Sequence, residues 1–178
     1  ELFNAWMNIL KRVEKSVLVI CEENSQVINN LRIEADKNKI NNERLFFVKY
    51  LKKSDYLARY KAVDLFLDTT PYNGASTVSD ALSVGLPVIT CMGKSFASRQ
   101  AASLLHSLNL DELITESIFD YEKLAIELAL EKTKFNNLKK KLNENLSQSL
   151  LFNNKSYTLN LEKAYSLVYK NFKKNIKP

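Results

Sequence analysis

The sequence is short of the residues that bend chains: three glycines and three prolines in 178 residues. That scarcity argues against long loops or disorder. There are two cysteines and one histidine, too few for a disulfide framework or a zinc site. Cys21 and Cys91 each follow a hydrophobic run and read as buried, reduced thiols. The longest apolar stretches, such as SVLVIC, fall far below the roughly 20 residues that a bilayer span needs, so no membrane partner is expected. No basic-then-apolar leader opens the chain, and no secretory signal is read. The start ELFNAWMNIL reads as a chain cut from something longer, and a cytoplasmic location is expected.

What is present is apolar and basic. Hydrophobic residues make up 46 % and charged residues 26 %, with a net charge of +6. That is enough apolar side chain for a core, and the length suits one domain or one half of a two-domain enzyme. The positive charge permits anionic partners. It gathers in KKSDYLARYK, in KTKFNNLKKK and in the tail KNFKKNIKP. Solvated helix faces account for most of it, and the first cluster is the one singled out as functional.

Apolar spacing places Trp6 on the buried side of an opening helix. SVLVIC, RLFFV, DLFLD and PVITC read as strands, the first of them fully buried. Between them lie helical segments: Asn24 to about Lys39, SDYLARYKA with Ser54 as a cap, and STVSDALSVG ended by Gly85. SFASRQAASLLHSL follows, with Ser95 as a candidate cap. Such alternation predicts a doubly wound parallel sheet with helices on both faces, a Rossmann-like α/β domain spanning 1–178. After Ile114 the strands are expected to stop. Three helical stripes, the last of them Leu161, Tyr165, Val168 and Phe172, then form a helical C-terminal extension over 115–178.

Two of the three glycines and two of the three prolines fall within VDLFLDTTPYNGASTVSDALSVGLPVIT, residues 63–90. This is a strand–loop–helix junction at the carboxyl end of a strand, where open parallel sheets hold ligands. A helix N-terminus there offers unpaired N–H groups and partial positive charge to an anion. Asn73-Gly74 is turn chemistry suited to positive φ and to pointing N–H groups inward, and Gly74 permits close backbone approach. Ser76 and Thr77 add hydroxyl donors. Asp80, one turn on and on the same face, would repel a phosphate but can accept from vicinal sugar hydroxyls. Phosphate at the tip and ribose a turn below describe a nucleotide. The plainer reading is that these residues only cap a helix. The loop is neither a Walker loop nor a dinucleotide fingerprint.

DLFLDTTPYNGASTVSDALSVGLPVIT, continued by GKSFASRQAASLLHSLNLDELI, resembles the C-terminal catalytic half of the O-linked N-acetylglucosamine transferases. The likeness is to the SPINDLY-like, tetratricopeptide-containing bacterial members, and runs from WMNIL through SLLFN to LEKAYSLVY. It implies the C-terminal half of a GT-B fold that binds a nucleotide sugar, with a protein acceptor entering against the other half. By position, Lys53 matches a lysine near the nucleotide. Tyr56 falls where the animal enzyme packs a histidine on uracil, and an aromatic ring can replace that stacking. The backbone at Leu51 would bond the base edge, with Arg59 close behind. Ser76 and Thr77 match the threonine pair at the pyrophosphate, and Asp80 the aspartate on the ribose. Ala75 departs from the pattern, standing where the animal enzyme has a histidine, which leaves the donor sugar open; UDP-N-acetylglucosamine is the expected donor.

The resemblance also implies inverting transfer without a metal or other cofactor. Acid–base residues are expected in the other half or before Glu1, so no catalytic residue is assigned here and the fragment is expected to be inactive alone. Its last helix would cross to the missing domain, or leave the fragment loose or dimerised. His106 reads as structural, Arg99 as the partner of a carboxylate, and Trp6, Tyr157 and Tyr165 as core or interdomain packing. Two other classes explain less. A basic nucleic-acid-binding module explains the charge but lacks aromatic-basic interleaving. A response-regulator-like domain would need clustered strand-end carboxylates, for which Asp64 and Asp68 offer little.

Overall fold

The computed structural model describes residues 1–22 and 24–174. The end of the basic tail, 175–178, lies outside the described residues. Helix α1 (Leu2–Arg12) leads into strand β1 (Leu18–Cys21). Helix α2 (Ser25–Lys37) follows, its first turn capped by the Asn24 side chain on the Val27 N–H. Strand β2 (Leu45–Val48) pairs parallel to β1 with Leu18 opposite Leu45. Then come α3 (Lys53–Tyr60), β3 (Phe66–Leu67), α4 (Ser76–Ser83), β4 (Val88–Cys91), α5 (Gln100–Ser107) and β5 (Ile114–Thr115). β3, β4 and β5 form a second parallel group with β4 in the middle. Three helices close the chain: α6 (Ile118–Leu130), α7 (Lys132–Gln148) and α8 (Asn154–Lys173).

All four residues of β4 are buried, which is why its sequence does not alternate; its one polar side chain, Thr90, is hydrogen-bonded to Asp68. Around it pack Val78, Leu82, Leu105, Leu110, Tyr121 and Leu142, each fully buried. A smaller cluster of Met7, Leu10, Ala35, Ile40 and Leu45 lies under α1 and α2. Helix α6 belongs to the main core and packs on α1 and β4. α8 carries no buried residue, and its stripe of Leu161, Tyr165, Val168 and Phe172 is exposed.

Several expectations need correction. A fifth strand, β5, follows PVITC; two residues are too few for an apolar run to mark it. β1 is not fully buried but alternates, because α1 and α2 cover one face while Val19 and Phe46 stay exposed on the other. Cys21 is exposed for the same reason; Cys91 is buried as expected. Ser54 caps nothing, since α3 starts at Lys53 without a side-chain cap. Ser95 bonds Ser98 in a turn ahead of α5, whose N-cap position is Arg99. Arg99 is exposed and makes no ion pair among the described residues. His106, read as structural, lies on the surface with its ring Nδ1 2.6 Å from Asp111, which does not conflict with that reading. Tyr157 and Tyr165 are exposed, which removes core packing and leaves interdomain packing as the reading for both.

Gly85 ends α4 as the sequence implies, with φ of 79°. A Cβ there would also lie 2.6 Å from Asn143 Oδ1 of α7. Gly85→Ala is therefore expected to cost about 1–2 kcal/mol, from left-handed strain plus the displaced amide. Urea unfolding of the two chains measures it, and equal midpoints would contradict this account.

Candidate nucleotide-sugar site at the α4 tip

Because β3 and β4 are parallel, the chain leaving β3 must cross over through a helix, and α4 begins at the carboxyl end of the sheet. The N-cap of α4 is Ala75, whose methyl group cannot accept a hydrogen bond, and no other side chain caps the helix. α2, α6 and α8 are capped by side chains, from Asn24, Ser117 and Asn153, whereas α1, α3, α5 and α7 resemble α4 in having no side-chain cap. The first-turn N–H groups of α4 thus have no acceptor within the helix and none from a cap. Ala75, Ser76 and Thr77 are exposed. The tip is open.

Asp80 sits one turn below, and both its oxygens accept from Lys53 Nζ at 2.7 Å. The helix α3 that carries Lys53 packs on α4. The lysine side chain is 65 % exposed and the aspartate 21 %, so solvent screens the pair and it contributes at most about 1 kcal/mol. Tyr56 and Tyr60, one turn apart on α3, join hydroxyls at 2.5 Å, with ring centroids 4.7 Å apart. Tyr60 also meets the Phe66 ring edge-on. Burial, then the Tyr56 bond, push the Tyr60 hydroxyl up and hold it protonated. Arg59 lies over the Tyr56 ring at 5.7 Å and donates to the Lys49 carbonyl at 2.9 Å. Leu51 is exposed just ahead of this helix.

Lys53, Asp80, Ser76, Thr77 and Ala75 therefore gather on one open surface, and Tyr56, Arg59 and Leu51 belong to the adjoining helix and its lead-in. Asn73 and Gly74 do not join them. Asn73 is fully buried; its side-chain amide donates to the Thr69 carbonyl and its N–H to Ala97 O. Neither Asn73 nor Gly74 takes positive φ. The Gly74 N–H, expected to face an anion, donates instead to Asp68 Oδ1 at 2.7 Å. The glycine is required for a different close approach: a Cβ would lie 2.5 Å from Thr77 Oγ1 and 2.9 Å from Val78 Cγ2.

The residue whose role sequence reasoning missed is Asp68, weighed there only as a strand-end carboxylate. It is 1 % exposed, and its second oxygen accepts from Thr90 Oγ1 at 2.7 Å. Its carbonyl accepts from the buried Tyr121 hydroxyl at 3.0 Å. Burial pushes the Asp68 carboxyl up, opposed by hydrogen bonds from Thr90, Gly74 and Thr69. The signal was a carboxylate closing an apolar strand directly before the loop. Among the described residues a cavity of about 630 Å³ lies between α5, α7 and α8, lined in part by Asn109, Asn145 and Tyr157; it shares no residue with the α4 tip.

Comparison with known proteins agrees in kind. The profile of glycosyl transferase family 41 matches residues 1–161. A probable UDP-N-acetylglucosamine–peptide N-acetylglucosaminyltransferase SEC from Arabidopsis thaliana is 33 % identical over 93 % of this chain, which spans 17 % of that protein. A UDP-N-acetylglucosamine–peptide N-acetylglucosaminyltransferase from Caenorhabditis elegans is 28 % identical over 94 % of this chain and is covered to 14 % of its length. In three dimensions the chain superposes on a mutant O-GlcNAc transferase from Thermobaculum terrenum with a TM-score of 0.83 and 28 % identity, covering 92 % of this chain and 32 % of that one. The chain thus spans less than a fifth of these two curated relatives.

Proposed function

Since the chain belongs to glycosyl transferase family 41, we propose that it is the donor-binding half of an inverting protein glycosyltransferase. UDP-N-acetylglucosamine is the donor and a protein side chain the acceptor. The observation that carries this reading is the open, uncapped N-terminus of α4 with Asp80 and Lys53 one turn beneath it. The diphosphate would lie on the N–H groups at the tip, with the Ser76 and Thr77 hydroxyls beside it. The ribose hydroxyls would bond Asp80, and the base would lie against Tyr56, near Arg59 and the backbone at Leu51.

No metal is needed in this scheme. As the bond to the sugar breaks, negative charge grows on the departing diphosphate, and the helix terminus and Lys53 stabilise it where a metal would otherwise serve. A helix terminus does this at no reorganisation cost, because its dipoles already point at the oxygens. The acid–base groups and the acceptor groove belong to the preceding half of the enzyme, so this chain by itself transfers no sugar. In support, the tip is a single open wall and the relatives named above are several times longer. The exposed apolar stripe of α8 would be covered by that half, or by a second copy when the fragment stands alone. A cytoplasmic setting is consistent with the lack, among the described residues, of any helix long and apolar enough to cross a membrane.

The second reading, a nucleic-acid-binding module, rests on the net charge of +6. Calorimetric titration with UDP, and separately with a short oligonucleotide at rising salt, decides between them. Saturable UDP binding with little salt dependence is the expected result. Oligonucleotide binding that falls steeply with salt, without UDP binding, would establish the other reading.

A further inference from the structure

We propose that Asp68 is a positioning residue for the diphosphate: from beneath the loop it holds Gly74, and so the entry into α4, where the first-turn N–H groups face the ligand. The proposal rests on the donor-binding reading above.

Its basis is the set of bonds below the tip. Asp68 stands one residue past β3 and is buried without an ion-pair partner among the described residues. One carboxylate oxygen takes the Gly74 N–H and the other the Thr90 hydroxyl of β4, each at 2.7 Å. Thr90 in turn accepts, through its carbonyl, from the Thr115 hydroxyl of β5 at 3.0 Å. The Asp68 side chain thus ties the loop to β4 from the end of its own strand β3, and the Thr115 hydroxyl joins β5 to the same residue of β4. The other polar contacts of the loop are different in kind. Thr69 Oγ1 to Tyr72 O and Asn73 Nδ2 to Thr69 O lie within the loop, and Asn73 N–H to Ala97 O reaches only the next loop.

A buried carboxylate without a cation costs folding free energy unless hydrogen bonds satisfy it. Thr–backbone contacts alone could hold a loop at less cost. The gain from using a carboxylate is a short, charge-assisted bond to one chosen N–H. That N–H is Gly74's, one residue before the N-cap. With Gly74 engaged below, the free donors begin at the helix itself. Gly74 itself packs closely there: a Cβ would meet Thr77, Val78 and Asp68. Misplacing reacting or binding atoms by about 1 Å is enough to lose large factors at such sites.

The test separates the phosphate part of the ligand from the rest. The 178-residue chain and the variants Asp68→Ala, Asp68→Asn and Thr90→Val are titrated with UDP and with uridine, followed by NMR. Asp68→Ala is expected to weaken UDP by about tenfold or more while uridine, held by Asp80 and Tyr56, stays within about twofold. Asp68→Asn keeps a carbonyl for the Gly74 N–H and an amide for Thr90, and should bring UDP back to within about threefold of the parent. Equal losses of UDP and uridine would reduce Asp68 to a general fold element and overturn the proposal, as would unchanged UDP affinity in Asp68→Ala. Should Asp68→Ala not fold, Thr90→Val carries the same comparison, with a smaller UDP-only loss expected and an equal or absent loss overturning it. A parent chain that binds no UDP defeats the donor reading itself, and this inference with it.

Discussion

Asp80→Ala is expected to weaken UDP binding by about 10- to 100-fold, the range for losing a carboxylate that accepts from two hydroxyls. The carboxylate has no substitute at that height on α4: the residues facing the same way one turn earlier, Ser76 and Thr77, are the ones assigned to the phosphates. Its two oxygens accept from Lys53 Nζ. The pair is open to solvent on the lysine side, so ribose hydroxyls displace it at small cost. Removing Asp80 also spares the ligand the small cost of displacing Lys53 from it, which offsets part of the loss. A double-mutant cycle with Lys53→Met should therefore show non-additive effects on UDP affinity. Thermal stability should hardly change in Asp80→Ala, since a screened pair contributes about 1 kcal/mol or less. Unchanged UDP affinity in Asp80→Ala would remove the ribose from this position.

The largest effect on stability is expected at Tyr121. It is fully buried on α6, and its hydroxyl donates to the Asp68 carbonyl and accepts from Trp6 Nε1 at 3.3 Å. One side chain thereby joins α1, α6 and the end of β3. Tyr121→Ala leaves a ring-sized cavity and two orphaned polar groups, and should cost about 3–5 kcal/mol in denaturant unfolding. Tyr121→Phe keeps the ring and loses only the hydroxyl, at about 1–3 kcal/mol. Burial pushes the hydroxyl pKa up from its ordinary value, so the folded state favours the protonated form. That contribution is complete below the unfolded value of about 10 and declines as pH rises beyond it; Tyr121→Phe should show a shallower alkaline decline, the remainder coming from groups such as Tyr60 that burial pushes up in the same way. An alanine variant within about 1 kcal/mol of the parent would refute this account of the core.

The candidate surface was legible largely because it is local. Ser76, Thr77 and Asp80 share a helix face by the 3.6-residue period alone, and Gly85 marks where that helix must stop. Lys53 and Tyr56 were attached to it only through the family resemblance, since nothing in their own spacing ties them to a helix more than twenty residues on. The misreadings at Asn73 and Gly74 share a kind of cause: each N–H is taken by an acceptor from elsewhere in the fold, Ala97 O for Asn73 and Asp68 for Gly74. A turn-forming pair before a helix offers the same residues to an anion or to a carboxylate underneath, and only the position of Asp68 decides which receives the Gly74 N–H. Ser54 and Ser95 failed as caps for a related reason: a hydroxyl near a helix start is a cap only if the helix begins where the pattern implies.

By itself the amino-acid sequence determined the alternation of apolar runs and helical stripes, and with it the parallel α/β architecture and the strand-to-helix loop that carries the candidate site. These follow from periodicity and turn chemistry, which act over a few residues. The tertiary structure alone decided which polar groups are used up and which are free. That a buried Asp68 takes the Gly74 N–H, that Tyr121 and Trp6 meet beneath it, and that Lys53 closes on Asp80 are facts of packing between segments distant along the chain. No local pattern encodes them, because each side chain involved has a satisfactory partner available in many arrangements, and the shape of the core selects one.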